Sequence, residues 1–396
     1  MELRAGYKNT EIGVIPEDWE VKTYDDVFDF LATATYSRAE LTEIDKVRYV
    51  HYGDIHTKWN FFLDIPQSNL PTVRDEQVKN YHLLKDGDVI MADASEDYPG
   101  IGKSVEVKNL GSVKAISGLH TFLFRDKNEV FVNGFRGYIH FNKIVKTQFD
   151  RLATGLKVYG VSKGNLKTVL IPVPTRTEQA AIATALSDAD SLISSLEKLI
   201  VKKSNIKLGA MQKLLIPNVG WKNEPIKNLA SISTGDKNTQ DKIDEGAYPF
   251  FVRSQNIEKL NSYSFEGEAI LIAGDGVGTG KVMHYYNGKF DFHQRVYKLS
   301  DFQNIINGLY FFLFFKNNFY NRMMQMTAKS SVDSIRRDMI SEMIISFPNI
   351  EKQIRIATIL SDMDAEINAL EAKLDKYKKI KLGMVQNLLT GKIRLV

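Results

Sequence analysis

The sequence predicts an α+β chain in which two pseudo-symmetric α/β globular regions are separated by two long helices that pair with each other as a coiled coil. Three observations predict it. The segment that starts at Pro174 returns without a gap from Pro348, an offset of 174 residues, with about 20 of roughly 42 positions identical. Within both copies, apolar residues alternate at spacings of four and three, the seam of a coiled coil. The stretches before each copy echo one another in tryptophans, apolar strands, glycine turns and closing prolines.

The elements follow in chain order. Residues 1–173 form the first globular region, opened by Trp19 in IPEDWEV and closed by IPVP at 171–174. It contains the apolar strand of DGDVIMA, which runs through the loop DASEDYPGIGKSVEV into a second strand. Residues 174–216 read as one helix: Thr175-x-x-Glu178 offers a capping box, and Pro217 closes the segment. Its seam is Ile182, Leu186, Ala189, Ile193, Leu196 and Ile200. At 1.5 Å per residue, a helix from Glu178 to Leu215 is about 55–60 Å long. Residues 217–347 repeat the first theme with Trp221, EGEAILIA, the loop GDGVGTGKVMHY and ISFP at 345–348. Residues 348–396 carry the second helix, with a seam of Ile356, Leu360, Met363, Ile367, Leu370, Leu374 and Tyr377.

Composition limits the function classes. Fifty-two Lys+Arg against 48 Asp+Glu give a net charge of +4, compatible with local basic patches but not diagnostic of a nucleic-acid partner. The chain has no cysteine, which excludes disulfides, Cys-ligated zinc and iron–sulfur clusters and fits a reducing cytoplasm. MELRAG leads into polar sequence without the apolar core of a signal peptide. The longest apolar run, Leu309 to Phe315, falls far short of the ~20 residues of a membrane-spanning helix. The expectation is a cytoplasmic chain.

PGIGKS at 99–104 invites comparison with a phosphate-binding loop. The pattern G-x-x-x-x-G-K-[ST] needs glycine five residues before Gly102, where Asp97 stands; in GVGTGKV the matching residue is Asp275. A carboxylate there opposes phosphate, so neither loop is a nucleotide site. What they share is a place: the turn after an apolar strand, where glycines let the backbone approach a partner closely.

The order globular region, helix, globular region, helix resembles the specificity (S, HsdS) subunit of type I restriction-modification systems over nearly the whole chain. The resemblance rests on the opening tryptophans, the strand-glycine-Gly-Lys hairpins, and I-P-x-P followed by Thr177-Glu178-Gln179 and the seam. The second helix departs from the pattern, with Lys352-Gln353 where Glu-Gln is expected. The resemblance implies two target recognition domains that each read one half of a bipartite double-stranded DNA target. It also implies that the two helices pair as an antiparallel coiled coil and set the spacer, and that the chain has no active site or cofactor of its own. Two modification (methyltransferase) subunits and restriction subunits would dock to it, with S-adenosylmethionine and ATP on those partners. The flanks left by the seams, with Leu192, Leu199, Val201, Leu208 and Met211, are costly to leave in water and would meet the partners.

Base edges are read mainly by Arg, Lys, Asn and Gln, while phosphates are held by cations, hydroxyls and backbone N–H groups. In the first domain this selects His51 and Tyr52, Lys103 and Ser104 of the hairpin, and Lys157, Tyr159 and Lys163 between glycines. In the second it selects Arg253, Gln255 and Asn256, Lys281, Gln294 and Arg295, and Lys329 with Arg336 and Arg337. A lone surface lysine is ordinarily just solvated; the groups gain weight because they fall at equivalent places in both domains.

Other chemistries fit less well. Asp93 with Glu106-Val107-Lys108 has a loose nuclease spacing that the second domain lacks. There is no Pro-Pro pair for a methyltransferase adenine pocket, no H-E-x-x-H and no G-x-S-x-G. The histidines are scattered, with His51 and His56 the nearest pair, so no metal site is expected. The competing reading is a scaffold whose paired helices hold two α/β domains for a partner other than DNA.

Overall fold

The computed structural model describes residues 4–155, 157–326 and 334–395. It divides into two compact units, Met1–Glu197 with Ala372–Val396, and Lys198–Glu371. The division falls inside the helices, not at the 173/174 and 347/348 boundaries read from the sequence. Each unit is a globular region plus one segment of each long helix.

The central helix, Arg176–Leu214, and the distal helix, Ile350–Leu388, have 39 residues each. Within each unit the two segments run antiparallel, as cross-helix ion pairs show. In the first unit Asp190 pairs with Lys381, and Glu197 with Lys378 at 2.7 Å. In the second, Lys203 pairs with Glu366 at 2.7 Å, and Lys207 with Asp364. The Asp190–Lys381 and Lys207–Asp364 pairs are the same pair under the 174-residue repeat.

The seam is not uniform. Ile182 and Leu186 are core residues of the first unit, packed with Val385, Leu388 and Leu389; Ile356 and Leu360 are core residues of the second, with Leu215. Leu196 is buried, while Ile193, Ile200, Ile367, Leu370 and Leu374 are half-buried. A two-helix seam covers its residues from one side only, whereas the helix ends are also covered by a sheet domain.

The two globular regions share one strand order. In the second unit six strands run Ser231–Thr234, Val296–Ser300, Phe265–Ala273, Met283–Phe292, Tyr248–Phe251 and Glu258–Leu260. All neighbours are antiparallel except the parallel pair of Met283–Phe292 with Tyr248–Phe251. The first unit repeats this in two pieces. Phe28–Leu31, Thr121–Asp126, Val89–Ala92 and Ser104–Lys108 form one series, to which Phe62–Asp64 adds an edge. Ala115–Ser117, Val47–Val50 and Thr72–Val73 form the other, again with one parallel pair. The break lies at Asn109–Lys114, where Asn109 and Gly111 have φ of 56° and 57°. These left-handed residues end a strand that runs on unbroken as Met283–Phe292 in the second unit.

A glutamine locks each helix to its domain. Gln179, fully buried, accepts from Val132 N at 2.9 Å and donates to Val130 O at 3.2 Å and Pro174 O at 2.9 Å. Gln353, equally buried, accepts from Asn307 N at 2.8 Å and donates to Ile305 O and Pro348 O, both at 2.9 Å. The capping box read at Thr175 and Glu178 is only half formed. Thr175 Oγ1 accepts from Glu178 N at 3.3 Å, but the Glu178 carboxylate turns inward to Trp19 Nε1 at 2.7 Å and Arg394 Nε at 2.6 Å. In the second unit Lys352 stands where Glu178 does and lies 5.9 Å from the Trp221 ring centroid. The substitution thus exchanges a hydrogen bond to tryptophan for a cation–π contact, and Asn349 Oδ1 caps the helix by accepting from Lys352 N at 3.1 Å.

The glycine loops are held from behind. Gly102 has φ of +73°, and a Cβ there would lie 2.8 Å from the Phe149 ring; Gly280, at φ of +67°, would meet Met323 at 2.5 Å. Gly102→Ala therefore combines left-handed strain with a steric clash against a buried ring, and is expected to cost about 2–4 kcal/mol. Gly111→Ala, with φ of +57° and open space around it, is expected to cost only the strain, about 1–2 kcal/mol. Urea unfolding of the two variants checks the difference.

Candidate nucleic-acid interface

In both units the candidate side chains gather at the loops that join the strands at one end of the sheet. Three pieces of chain recur: the loop after the parallel strand, the glycine loop after the central strand, and the residue just before the strand beside it, Thr121–Asp126 or Val296–Ser300. Register fixes their equivalence. Gly118 N donates to Val50 O at 2.9 Å, as His293 N does to Phe251 O at 2.9 Å. Two residues further on, His120 and Arg295 immediately precede their strands.

In the first unit this end is aromatic. The Tyr52 ring lies 4.6 Å from His51 and 5.3 Å from His120, the latter edge-on. His120 Nδ1 approaches Asp93 Oδ1 at 3.3 Å. Lys103 donates from Nζ to His56 O at 2.7 Å, tying the glycine loop to the helix Tyr52–Lys58. Asp97, the residue that excluded a nucleotide loop, shapes the turn by accepting from Gly100 N at 2.7 Å. Tyr52, His56, Ser95, Asp97, Lys103, His120 and Val158 line a cleft of about 760 Å³. Tyr159, paired with Ser95 as a short strand, sets its ring 4.8 Å from Tyr98, while Lys157 and Lys163 are exposed. Burial holds the Lys103 ammonium below the usual lysine range.

Two candidates do not reach this surface. Ser104 is fully buried, and its hydroxyl bonds His140 Nδ1. His140 Nε2 meets Tyr24 OH at 2.6 Å, and burial pushes that imidazole down to about 3. Both faces of the Ser104–Lys108 strand are covered, so alternation along it brings no side chain out at Ser104. His51 is also buried and accepts from Gly53 N at 3.3 Å, capping the Tyr52–Lys58 helix; burial, and next Arg38, hold its imidazole below the usual range.

In the second unit the same end is cationic. Arg253 Nη1 pairs with Asp275 Oδ1 at 2.9 Å and Arg295 Nη1 with Asp275 Oδ2 at 3.5 Å. Gln294 donates to Asn238 Oδ1 at 2.5 Å. Gln255 and Asn256 are exposed, and Asn256 O accepts from Ser254 Oγ at 2.9 Å. Lys281 is exposed and lies 5.2 Å from the Tyr320 ring centroid. Arg336 is exposed beside Asp338 at 3.5 Å, whereas Arg337 donates to Ile232 O at 2.9 Å. Lys329 lies outside the described residues.

Sequence reasoning missed His56, His120 and Asp93 in the first unit, and Asp275 and Asn238 in the second. Position marks three of them, since Asp93 and Asp275 follow the central strands and His120 precedes Thr121–Asp126, whereas His56 lies on the Tyr52–Lys58 helix and Asn238 in the loop after Ser231–Thr234. Among the described residues no three His, Cys, Asp or Glu side chains gather as a metal site, and no helix is long and apolar enough to cross a membrane.

Comparison with known proteins agrees with this architecture. The family model of the type I restriction modification DNA specificity domain matches twice, at residues 16–203 and 218–381. A proposed type I restriction enzyme MjaX specificity subunit of Methanocaldococcus jannaschii is 23% identical, over 98% of this chain and 97% of its own length. The type I restriction enzyme EcoDI specificity subunit of Escherichia coli is 28% identical over 172 residues, 43% of this chain and 37% of that protein. The crystal structure of the type I restriction-modification S subunit from M. genitalium shares the fold, with a TM-score of 0.61 at 13% identity, covering 98% of both chains. Two matches of one family model on two units with one strand order, each followed by the same helix, leave a single assignment: the chain belongs to the type I restriction-modification DNA specificity family.

Proposed function

We propose that the chain is a non-catalytic DNA-reading subunit in which each loop face reads one half of a bipartite target. The observation that carries this is the recurrence of one face: the same strand order offers the same three loops in both units, filled with side chains able to meet DNA. Lys103, Lys157, Tyr159, Lys163 and Tyr52 serve the first domain. Arg253, Gln255, Asn256, Lys281, Gln294, Arg295, Arg336 and Arg337 serve the second. Ser104 and His51 act behind the first face, as supports.

The helices act as a ruler, because a rigid rod of fixed residue number fixes the distance between two readers. Their exposed flanks bind two modification subunits, and restriction subunits join that assembly. S-adenosylmethionine and ATP belong to those partners, and the complex works in the cytoplasm.

The test is to assemble the chain with its modification partner, select from a random duplex DNA pool, and sequence the bound fraction. Two short half-sites at one fixed separation are expected. Four residues inserted into each helix add about 6 Å, so the separation should grow by about two base pairs with both half-sites unchanged. A pool with no bipartite consensus defeats the reading and favours a scaffold for another partner. An unchanged separation defeats the ruler alone.

A further inference from the structure

The second unit sets two guanidiniums against one carboxylate at the loop end of its sheet. Asp275 stands two residues past Ala273, the end of the central strand, and Gly274 N donates to Arg295 O at 2.8 Å, which fixes the two loops against each other. Asp275 is the more covered partner, with its side chain 21% exposed against 42% for Arg253 and 64% for Arg295. The carboxylate therefore lies underneath and the guanidiniums lie outward. Two arginines on one aspartate keep a net positive charge, so the group is not cancelled by its own counter-ion.

From this geometry we propose that Asp275 is a positioning residue that presets Arg253 and Arg295 to read a guanine edge, making a G·C pair a requirement of the half-site met by the second domain. This inference rests on the DNA-reading function proposed above. Guanine offers two neutral acceptors, O6 and N7, that match the planar fork of a guanidinium. A phosphate needs no orienting partner, and its negative charge is repelled by a carboxylate behind the arginines. Holding the long side chains in place beforehand also removes part of the ordering cost at binding. The first unit builds the same place differently, with His120 on Asp93 and the Tyr52 ring beside it. The guanine requirement therefore falls on one half-site only.

The experiment repeats the random-pool selection with the assembled complex and adds Arg295→Ala, Arg295→Lys, Arg253→Ala and Asp275→Asn. The unmodified complex should prefer guanine by about tenfold or more at one position of one half-site. Arg295→Ala, Arg295→Lys and Arg253→Ala should each weaken that preference, leaving the other half-site intact. Arg295→Lys should keep the salt dependence of binding, because the charge remains. Asp275→Asn should relax the preference several-fold while overall affinity holds or rises. The proposal is overturned if Arg295→Ala weakens binding to all sequences alike, lowers the salt slope by about one, and is rescued by lysine, the pattern of a phosphate contact. It is overturned equally if Asp275→Asn keeps the full preference, or if two half-sites are selected with no guanine requirement in either. Failure to select any bipartite sequence is a different result, which removes the DNA-reading function itself.

Discussion

Gln353→Ala is expected to destabilise the second unit by about 3–4 kcal/mol, the largest stability effect among the changes considered. The side chain is fully buried and uses both ends of its amide: Oε1 accepts from Asn307 N, and Nε2 donates to Ile305 O and Pro348 O. Truncation orphans one N–H and two carbonyls in the interior and opens a cavity as well. Asn307 itself caps the helix Gly308–Gln325 by accepting from Tyr310 N at 2.9 Å, so loosening it reaches a second element. Gln353→Glu should not rescue, since a carboxylate can still accept from Asn307 N but would face two carbonyls. Gln179→Ala should act alike on the first unit. Hydrogen exchange followed segment by segment checks both variants, each expected to raise exchange mainly within its own unit. Equal protection in the variant and the parent would show that the glutamine is dispensable.

On the proposed docking of two modification subunits to the helix flanks, replacing Ile380 and Leu382 together by aspartate is expected to remove one of them, and doing the same at Ile206 and Leu208 the other. These pairs are repeats of one another at the 174-residue offset, and they are exposed by 43% and 59%, and by 47% and 54%. In each pair the intervening lysine, Lys381 or Lys207, is drawn to the opposite helix by Asp190 or Asp364. The apolar neighbours lie about 100° to either side of it and are left exposed on the two flanks of the helix. Anchors of this kind each contribute about 2–4 kcal/mol to an interface, so paired aspartates should weaken docking by at least a hundredfold. Native mass spectrometry of the assembled complex should show two partner copies for the unmodified chain, one for either double variant, and none for the quadruple variant. Two copies retained by the quadruple variant would place docking elsewhere; Met211, half-buried on the second core, is less available for it.

Much of the architecture was legible because a duplicated gene product declares itself. A repeat with about half its positions shared marks the helices, and the Gly-Lys hairpins mark equivalent turns. What failed to show in the sequence depended on residues far apart in the chain. Ser104 looked like part of a polar loop tip, yet it enters a strand covered on both faces, where His140 accepts its company. Glu178 looked like a capping residue, yet Trp19 and Arg394, 159 and 216 residues away, claim its carboxylate. The seam looked continuous, but the sheet domains take its ends into their own cores. Asp275 drew attention only as the residue that spoiled a nucleotide motif, and its partners come from two other loops.

The sequence by itself determined what is periodic or local: two long helices, their seams, the duplicated order of regions, and the glycine turns with their lysines. Periodicity and turn chemistry are properties of neighbouring residues, so they survive without knowledge of the fold. Tertiary structure alone decided which polar side chains face outward, where the first sheet breaks, how each helix is latched by its glutamine, and that one face gathers rings while the other gathers arginines. Those outcomes follow from which strands lie side by side, because burial and charge pairing are settled by neighbours in space and not by neighbours in the chain.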